Sequence, residues 1–294
     1  MLGAMWTHLD HAILAVRDLA AAERSYARLL GRSASWRGEH PALGPGNALF
    51  RVGEAYLELL APAEGAGGWL RERLEAQGEG LLGFALATSD AEASARELRE
   101  RGLHPGAPAH GVGRDTESGA FREWRSVFLP PEETRGLLVF GIEHRSAPEL
   151  LPEIPPAGAP EAAVHAIDHV VVRTEDPDAA IGCYADRLGL RLALDKRFPQ
   201  WGARLIFLRV GHITVELAAP LETSPDAAAT DHVWGISWRV ADADAARARL
   251  SEAGFDVSPV RTGRRPGTRV FSLRGEPCGV ATLFLEPPAP GVER

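Results

Sequence analysis

Two histidine–glutamate pairs in this sequence have the residue types and the setting to do chemistry. His11 and Glu58 form one pair and His169 and Glu216 the other, with the same spacing of 47 residues in each. Each glutamate sits in an apolar run, Glu58 among Leu57, Leu59 and Leu60, and Glu216 between Val215 and Leu217. A carboxylate in such a setting is costly unless it is paired, ligated or protonated. Each pair is therefore either part of a site or an inherited scaffold in which the carboxylate simply hydrogen-bonds the histidine. Further polar groups occur near the first pair. His40 lies in the Gly/Pro-rich stretch Gly38–Asn47, and loop side chains of this kind can reach a pocket. Arg122, Trp124 and Arg125 share an expected strand. Alternation there puts Arg122 and Trp124 on one face, and Glu123 and Arg125 on the other. An arginine inside a cavity could hold a carboxylate or phosphate. His40 and Arg125 are the candidate catalytic side chains, and His144 could approach the same region from the rim. His104 and His110 read as solvent-exposed. Cys183 and Cys278 have no histidine near them in sequence and make poor nucleophiles. No phosphate-cradling glycine loop follows a strand, so no nucleotide cofactor is expected.

The elements that must position these groups occur twice. Leu9–Pro62 recurs as Ile167–Pro220 at a constant offset of 158 with no net insertion. Leu9-Asp10-His11-Ala12 matches Ile167-Asp168-His169-Val170, and Leu30-Gly31 matches Leu188-Gly189. Asp18 and Asp176 both read as helix starts, where a carboxylate caps free amides. His40 and Asn47 fall on Phe198 and Leu205 and so lie outside the shared scaffold. Five prolines between 148 and 160 mark a semi-rigid linker. The expected division is a first domain over 6–147, a linker over 148–162 and a second domain over 163–288. Within each domain the pattern of strand, helix and two or three strands occurs twice, which is α+β with curved antiparallel sheets.

Composition narrows the function classes. The chain is 45% apolar and 24% charged, with a formal net charge of −8. This excludes collagen, a coiled coil and a disordered chain, and it argues against a nucleic-acid surface. The cluster Arg261, Arg264, Arg265 and Arg269 reads as a solvated hairpin. No apolar run is long enough to span a bilayer, the N-terminus lacks a signal-peptide pattern, and the two cysteines fit a reducing compartment. The expectation is a cytoplasmic protein, monomer or homodimer, with a small-molecule substrate or ligand and no nucleic-acid or membrane partner.

The Asp-His-apolar strand, Asp-Leu or Asp-Pro helix start, Leu-Gly exit and Leu-Glu-Leu strand resemble the vicinal oxygen chelate superfamily. This is the glyoxalase, bleomycin-resistance and extradiol-dioxygenase group. The stretch from Gly38 to Leu49 is similar to its glyoxalase-like branch. The resemblance covers the chain twice and implies two tandem domains, each of paired βαβββ modules curved around a cavity. It further implies one divalent metal (iron, manganese, zinc or nickel) held by His11 and Glu58 or by His169 and Glu216. The fifth- and eighth-strand ligands fall on Gly83 and Phe140, and on Gly235 and Leu283, none of which can ligate. His40 is then a third ligand or acid/base group, and His232 is the nearest substitute in the second repeat. The resemblance implies a lyase, isomerase or oxygenase acting on a small oxygenated metabolite. The alternative is a metal-free binding protein of the bleomycin-resistance type.

Overall fold

The computed structural model describes residues 5–39, 46–62, 68–222 and 230–289. In the first repeat, β1 (His8–Ala15) leads into α1 (Leu19–Leu30), and β2 (Trp36–Glu39), β3 (Gly46–Val52) and β4 (Ala55–Ala61) follow. The Asp18 carboxylate accepts from the Ala21 amide 2.9 Å away, and Gly31 ends the helix in the left-handed region at φ 74°. A short helix, α2 (Trp69–Gln77), precedes the second module: β5 (Gly80–Ala87), α3 (Ala91–Glu100), β6 (Ala109–Asp115), β7 (Phe121–Phe128) and β8 (Leu138–His144). Asp90 caps α3 in the same way through the Ala93 amide.

These eight strands close into a barrel in the order β1-β4-β3-β2-β6-β7-β8-β5. Closure rests on a two-residue ladder between β2 and β6, Gly38 opposite Asp115 and Glu39 opposite Arg114. Gly83 shows how tightly β5 and β8 approach. A Cβ there would stand 1.8 Å from the Leu138 carbonyl oxygen. Backbone cannot yield as a side-chain tip can, so Gly83→Ala is expected to cost about 3 kcal/mol, the upper end of overpacking. Urea unfolding of the variant checks this.

The second repeat runs β9 (Val164–Arg173), α4 (Pro177–Ile181), β10 (Arg191–Phe198), β11 (Ala203–Val210) and β12 (Ile213–Pro220). Its second half is β13 (His232–Val240), α5 (Ala243–Glu252), β14 (Arg261–Thr262), β15 (Arg269–Ser272) and β16 (Ala281–Glu286). Asp176 caps α4 through Ala179, as expected, but the helix then widens into a π-type turn over Gly182–Arg187. This sheet has the order β10-β11-β12-β9-β13-β16-β15-β14 and stays open. Its edge strands are not paired with each other. Arg264 reaches across instead, with its guanidinium 4.6 Å from the centre of the Trp201 ring.

One continuous apolar core serves both repeats. It gathers Leu9, Ala12 and Leu14 of β1 and Val170 and Val172 of β9 with helical residues including Tyr26, Leu98, Tyr184 and Leu250. Polar ties cross the same junction. Trp6 donates to the Leu188 carbonyl at 2.7 Å, and Arg135 pairs with the buried Asp231 at 2.9 Å.

Inside the first barrel the walls divide into two zones. Ile13, Ala15, Leu60, Leu82, Ala85, Phe140 and Ile142 form an apolar zone, which Leu70 and Leu74 of α2 cover. The i, i+4 spacing of those two leucines carries the signal for this helix, which the broad pattern of strand and helix passes over. Trp36, Leu49 and Tyr56 pack with Leu151 from the proline-rich segment in a second zone. No helix among the described residues is long and apolar enough to cross a membrane.

Candidate functional site

The polar groups of the first barrel begin at an irregularity in β1. The pairing of β1 with β5 shifts register between Leu9 and His11. A bulge of this kind lets two successive side chains turn to one side. Leu9 and Ala12 accordingly face the outer core, while Asp10 and His11 both point inward. Asp10 Oδ1 accepts from His11 Nδ1 at 2.6 Å, and its Oδ2 accepts from His144 Nε2 at 2.8 Å. Burial alone would raise the Asp10 carboxyl, but hydrogen bonds from both histidines and their charge hold it far below the usual range.

An ionised carboxylate only accepts, so His11 carries a proton on Nδ1 and turns Nε2 into the barrel. There Nε2 lies 3.5 Å from Glu58 Oε2, and Asn47 donates to Glu58 Oε1 at 2.8 Å. Tyr56 stacks on the imidazole with ring centres 4.4 Å apart. Burial raises its phenol well above the ordinary value, and the Asp10 charge adds to this. The Phe140 ring meets His11 edge-on at 5.6 Å. Arg122 enters from β7, which is opposite β4 in the ring of strands. Its guanidinium lies 5.5 Å from the Trp36 ring centre and 5.9 Å from that of Tyr56. Arg122 is 7% exposed.

The second repeat keeps the same kernel. Asp168 Oδ1 accepts from His169 Nδ1 at 2.7 Å, and His169 Nε2 lies 3.5 Å from Glu216 Oε2. The bulge recurs between Ser237 and Trp238 of the partner strand. Arg239 takes the place of His144, donating to Asp168 Oδ2 at 2.6 Å. Burial opposes ionisation of Asp168, but His169 and Arg239 bring its carboxyl down to about 2. The surrounding groups are absent. Leu205, Thr214 and Pro287 stand where the first repeat has Asn47, Tyr56 and His144. Arg264 approaches Glu216 at 3.5 Å from the exposed hairpin.

Of the residues singled out from sequence, the structure therefore brings His11, Glu58, Asn47 and His144 together, and His169 with Glu216. His40 lies outside the described residues. Arg125 points out of the barrel and pairs with Glu92 in the first turn of α3. Arg269 repeats this arrangement with Asp244 on α5. A duplicated strand-to-helix clamp of this kind is a half-exposed ion pair. Arg125→Ala is expected to change stability by less than about 1 kcal/mol and to leave ligand binding in the barrel unchanged, as calorimetry can check. Alternation along β7 makes Arg122 the inward arginine. His232 sits at the start of β13 opposite Arg173, five residues from Ser237, which pairs with His169. Sequence reading missed Asp10 and Asp168 as working groups, although both recur in the 158-residue offset. Strict alternation would have pointed them away from the histidines, and only the bulge reverses this.

The fifth-strand position facing His11 is Ala85, two residues beyond Gly83, and it pairs in turn with Phe140. Ser237 and Leu283 are the counterparts in the second repeat. A divalent metal needs three or more nitrogen or oxygen donors. Among the described residues each repeat presents two, closed in by alanine and phenylalanine in one and by serine and leucine in the other. Among the described residues no group of three or more His, Cys, Asp or Glu could hold a metal ion. These donors do not fit a divalent centre. The thiols offer no alternative nucleophile: burial pushes Cys183 up to about 11, and burial with the Glu79 charge pushes Cys278 up to about 12.

Comparison with known proteins agrees with this architecture. Residues 9–165 match the family described as "Glyoxalase-like domain", and residues 168–271 match the "Glyoxalase/Bleomycin resistance protein/Dioxygenase superfamily". Over 127 residues, 41% of this chain, the sequence is 33% identical to an ethylmalonyl-CoA/methylmalonyl-CoA epimerase of Cereibacter sphaeroides and covers 87% of it. Among solved structures, a triple mutant of 4-hydroxymandelate synthase from Streptomyces coelicolor is similar at a TM-score of 0.66 and 16% identity. That match covers 96% of this chain and 92% of the synthase. A hypothetical protein from Staphylococcus aureus is similar at a TM-score of 0.61 and 13% identity, over 94% of this chain and 98% of that one. At these identities, both likenesses concern the fold.

Proposed function

Because the chain belongs to the vicinal oxygen chelate superfamily, with glyoxalase-like domains in tandem, we propose that its first barrel is an acid–base enzyme site. It removes and returns a proton at a carbon next to a carbonyl in a small oxygenated metabolite, the chemistry of an isomerase or lyase. The observation that carries this reading is the Asp10–His11–Glu58 relay. Asp10 fixes the imidazole tautomer, which leaves His11 Nε2 and Glu58 Oε2 facing each other as the proton-accepting atoms of the site. Asn47 holds the other Glu58 oxygen, and Tyr56 remains a phenol shielding one face of the ring. The second repeat has the same kernel without Asn47, Tyr56 and His144, which favours the first barrel as the working site.

The epimerase name of the curated relative supports proton chemistry, since epimerisation at carbon is removal and return of a proton. The described donors do not make a centre for a divalent metal, and the acid–base groups act on the substrate directly. The test is α-proton exchange in D2O, followed by NMR, over a panel of 2-oxo acids, hydroxy ketones and acyl-CoA thioesters. Exchange that is lost in His11→Gln and Glu58→Gln but kept in His169→Gln supports the reading. Exchange indifferent to His11 overturns it. So does near-stoichiometric divalent metal in the unchelated protein that disappears in His11→Ala.

A further inference from the structure

From the buried guanidinium that Arg122 places in this barrel, we infer that this side chain is the anchor for a carboxylate on the substrate, which makes the ligand a small organic monoanion bearing a neighbouring oxygen. The inference rests on reading the first barrel as the site, and adds the chemical class of what enters it. Arg122 is more than nine-tenths buried, yet among the described residues no carboxylate lies within ion-pair distance of it. Its guanidinium instead approaches the rings of Trp36 and Tyr56. Aromatic faces attract a cation, but they offer no hydrogen-bond acceptor in the plane of the fork. A buried guanidinium without a counter-anion is expensive, and a structural arginine at such a site would normally bring its own acid, as Arg135 does with Asp231.

The fork is suited to a carboxylate, which it can hold through two parallel hydrogen bonds. A phosphate dianion suits it less well. Asp10 and Glu58 already place acidic groups in the same barrel, and the two histidines bonded to Asp10 are engaged there. Among the described residues, one unpaired cation beside two acids favours a single negative charge. The walls support a planar ligand: Trp36, Tyr56 and Phe140 surround the polar zone, and Phe128 packs on Phe140 with ring centres 4.8 Å apart. Tyr56 links the two functions, because His11 stacks on the same ring that Arg122 approaches. A carboxylate held at Arg122 therefore leaves the rest of the molecule beside the His11–Glu58 pair. Sequence position agrees with a role particular to this repeat. Matching Arg125 to Arg269 through their partners Glu143 and Glu286 puts Pro266 where the first repeat has Arg122.

Isothermal titration with matched probes tests the anchor. Pyruvate and phenylpyruvate carry the carboxylate; 2,3-butanedione and 1-phenyl-2,3-butanedione replace it with an acetyl group. The intact protein is expected to bind at least one of the acids, with Kd raised tenfold or more in Arg122→Gln and the diketones unaffected by the change. Arg122→Met is expected to be as stable as the parent or more so in the absence of ligand, and to lose the rise in Tm that the acid confers. A structural arginine would give the opposite, a large loss of stability in both variants. Equal binding of acid and diketone, or acid binding unchanged in Arg122→Gln, overturns the anchor, as does failure of both acids to bind. Its failure and that of the proton-transfer reading separate cleanly. Acids that bind through Arg122 without exchanging their α-protons leave the anchor standing and remove the acid–base step. Exchange on the diketones that needs His11 but not Arg122 does the reverse.

Discussion

Replacing His11 with glutamine is expected to slow α-proton exchange by about 10²–10⁴-fold, the range over which a positioned acid–base group acts. The amide keeps polarity and approximate volume, but it cannot take up and release a proton near neutral pH. Glu58→Gln should fall in the same range for the same reason, since the two side chains face each other across 3.5 Å. The double variant is then expected to be little slower than either single one, because groups that act as a unit are not additive. His169→Gln is the control. It removes the equivalent imidazole from the second repeat, where Leu205 and Thr214 replace Asn47 and Tyr56, and should leave exchange unchanged. Exchange rates of the four variants on one substrate decide the matter.

Asp10→Ala is expected to cost about 3–5 kcal/mol of stability, the usual consequence of removing one partner from a buried charged network. Two histidines lose their shared acceptor at once, and the methyl group cannot fill the space. The sign of the pH dependence follows from the depressed carboxyl. A group whose pKa falls on folding contributes stability above its unfolded value, about 3.9 for Asp, and loses it as pH drops through the folded one. The gap between parent and Asp10→Ala should therefore be full at pH 7 and narrow only below about pH 4. Urea unfolding at pH 7 and pH 3 measures it. A gap that stays constant between those values would show that Asp10 acts through packing rather than charge. Asp10→Asn keeps the shape, so its loss of stability should be smaller, while exchange still falls because the amide no longer holds His11 as a charged acceptor does.

Much of the molecule was legible in the residues. The 158-residue offset identified the duplication, and Asp18 and Asp176 marked helix starts that the structure shows as side-chain caps. The reason is that caps and strand alternation are local: a carboxylate reaches an amide three residues on, whatever the rest of the chain does. The π-type turn after α4 was not legible, because it depends on what the helix packs against. Cys183 and Tyr184 of that turn bond to the Glu133 and Thr134 carbonyls of the first repeat.

The site divides along the same line. Residue types and spacing by themselves set the two His–Glu pairs, the placement of Arg122 and Arg125 on opposite faces of an alternating strand, and the mismatch of Asn47 with the shared scaffold. Those properties follow from side-chain chemistry and a strand period of two. Tertiary structure decided three further things. A bulge turned Asp10 onto its own neighbour, closure of β2 against β6 enclosed the first barrel while the second sheet stayed open, and the pairing of β7 with β8 set Arg125 outside beside Glu92. Each depends on which strand lies alongside, a contact between residues distant in the chain that no local spacing encodes.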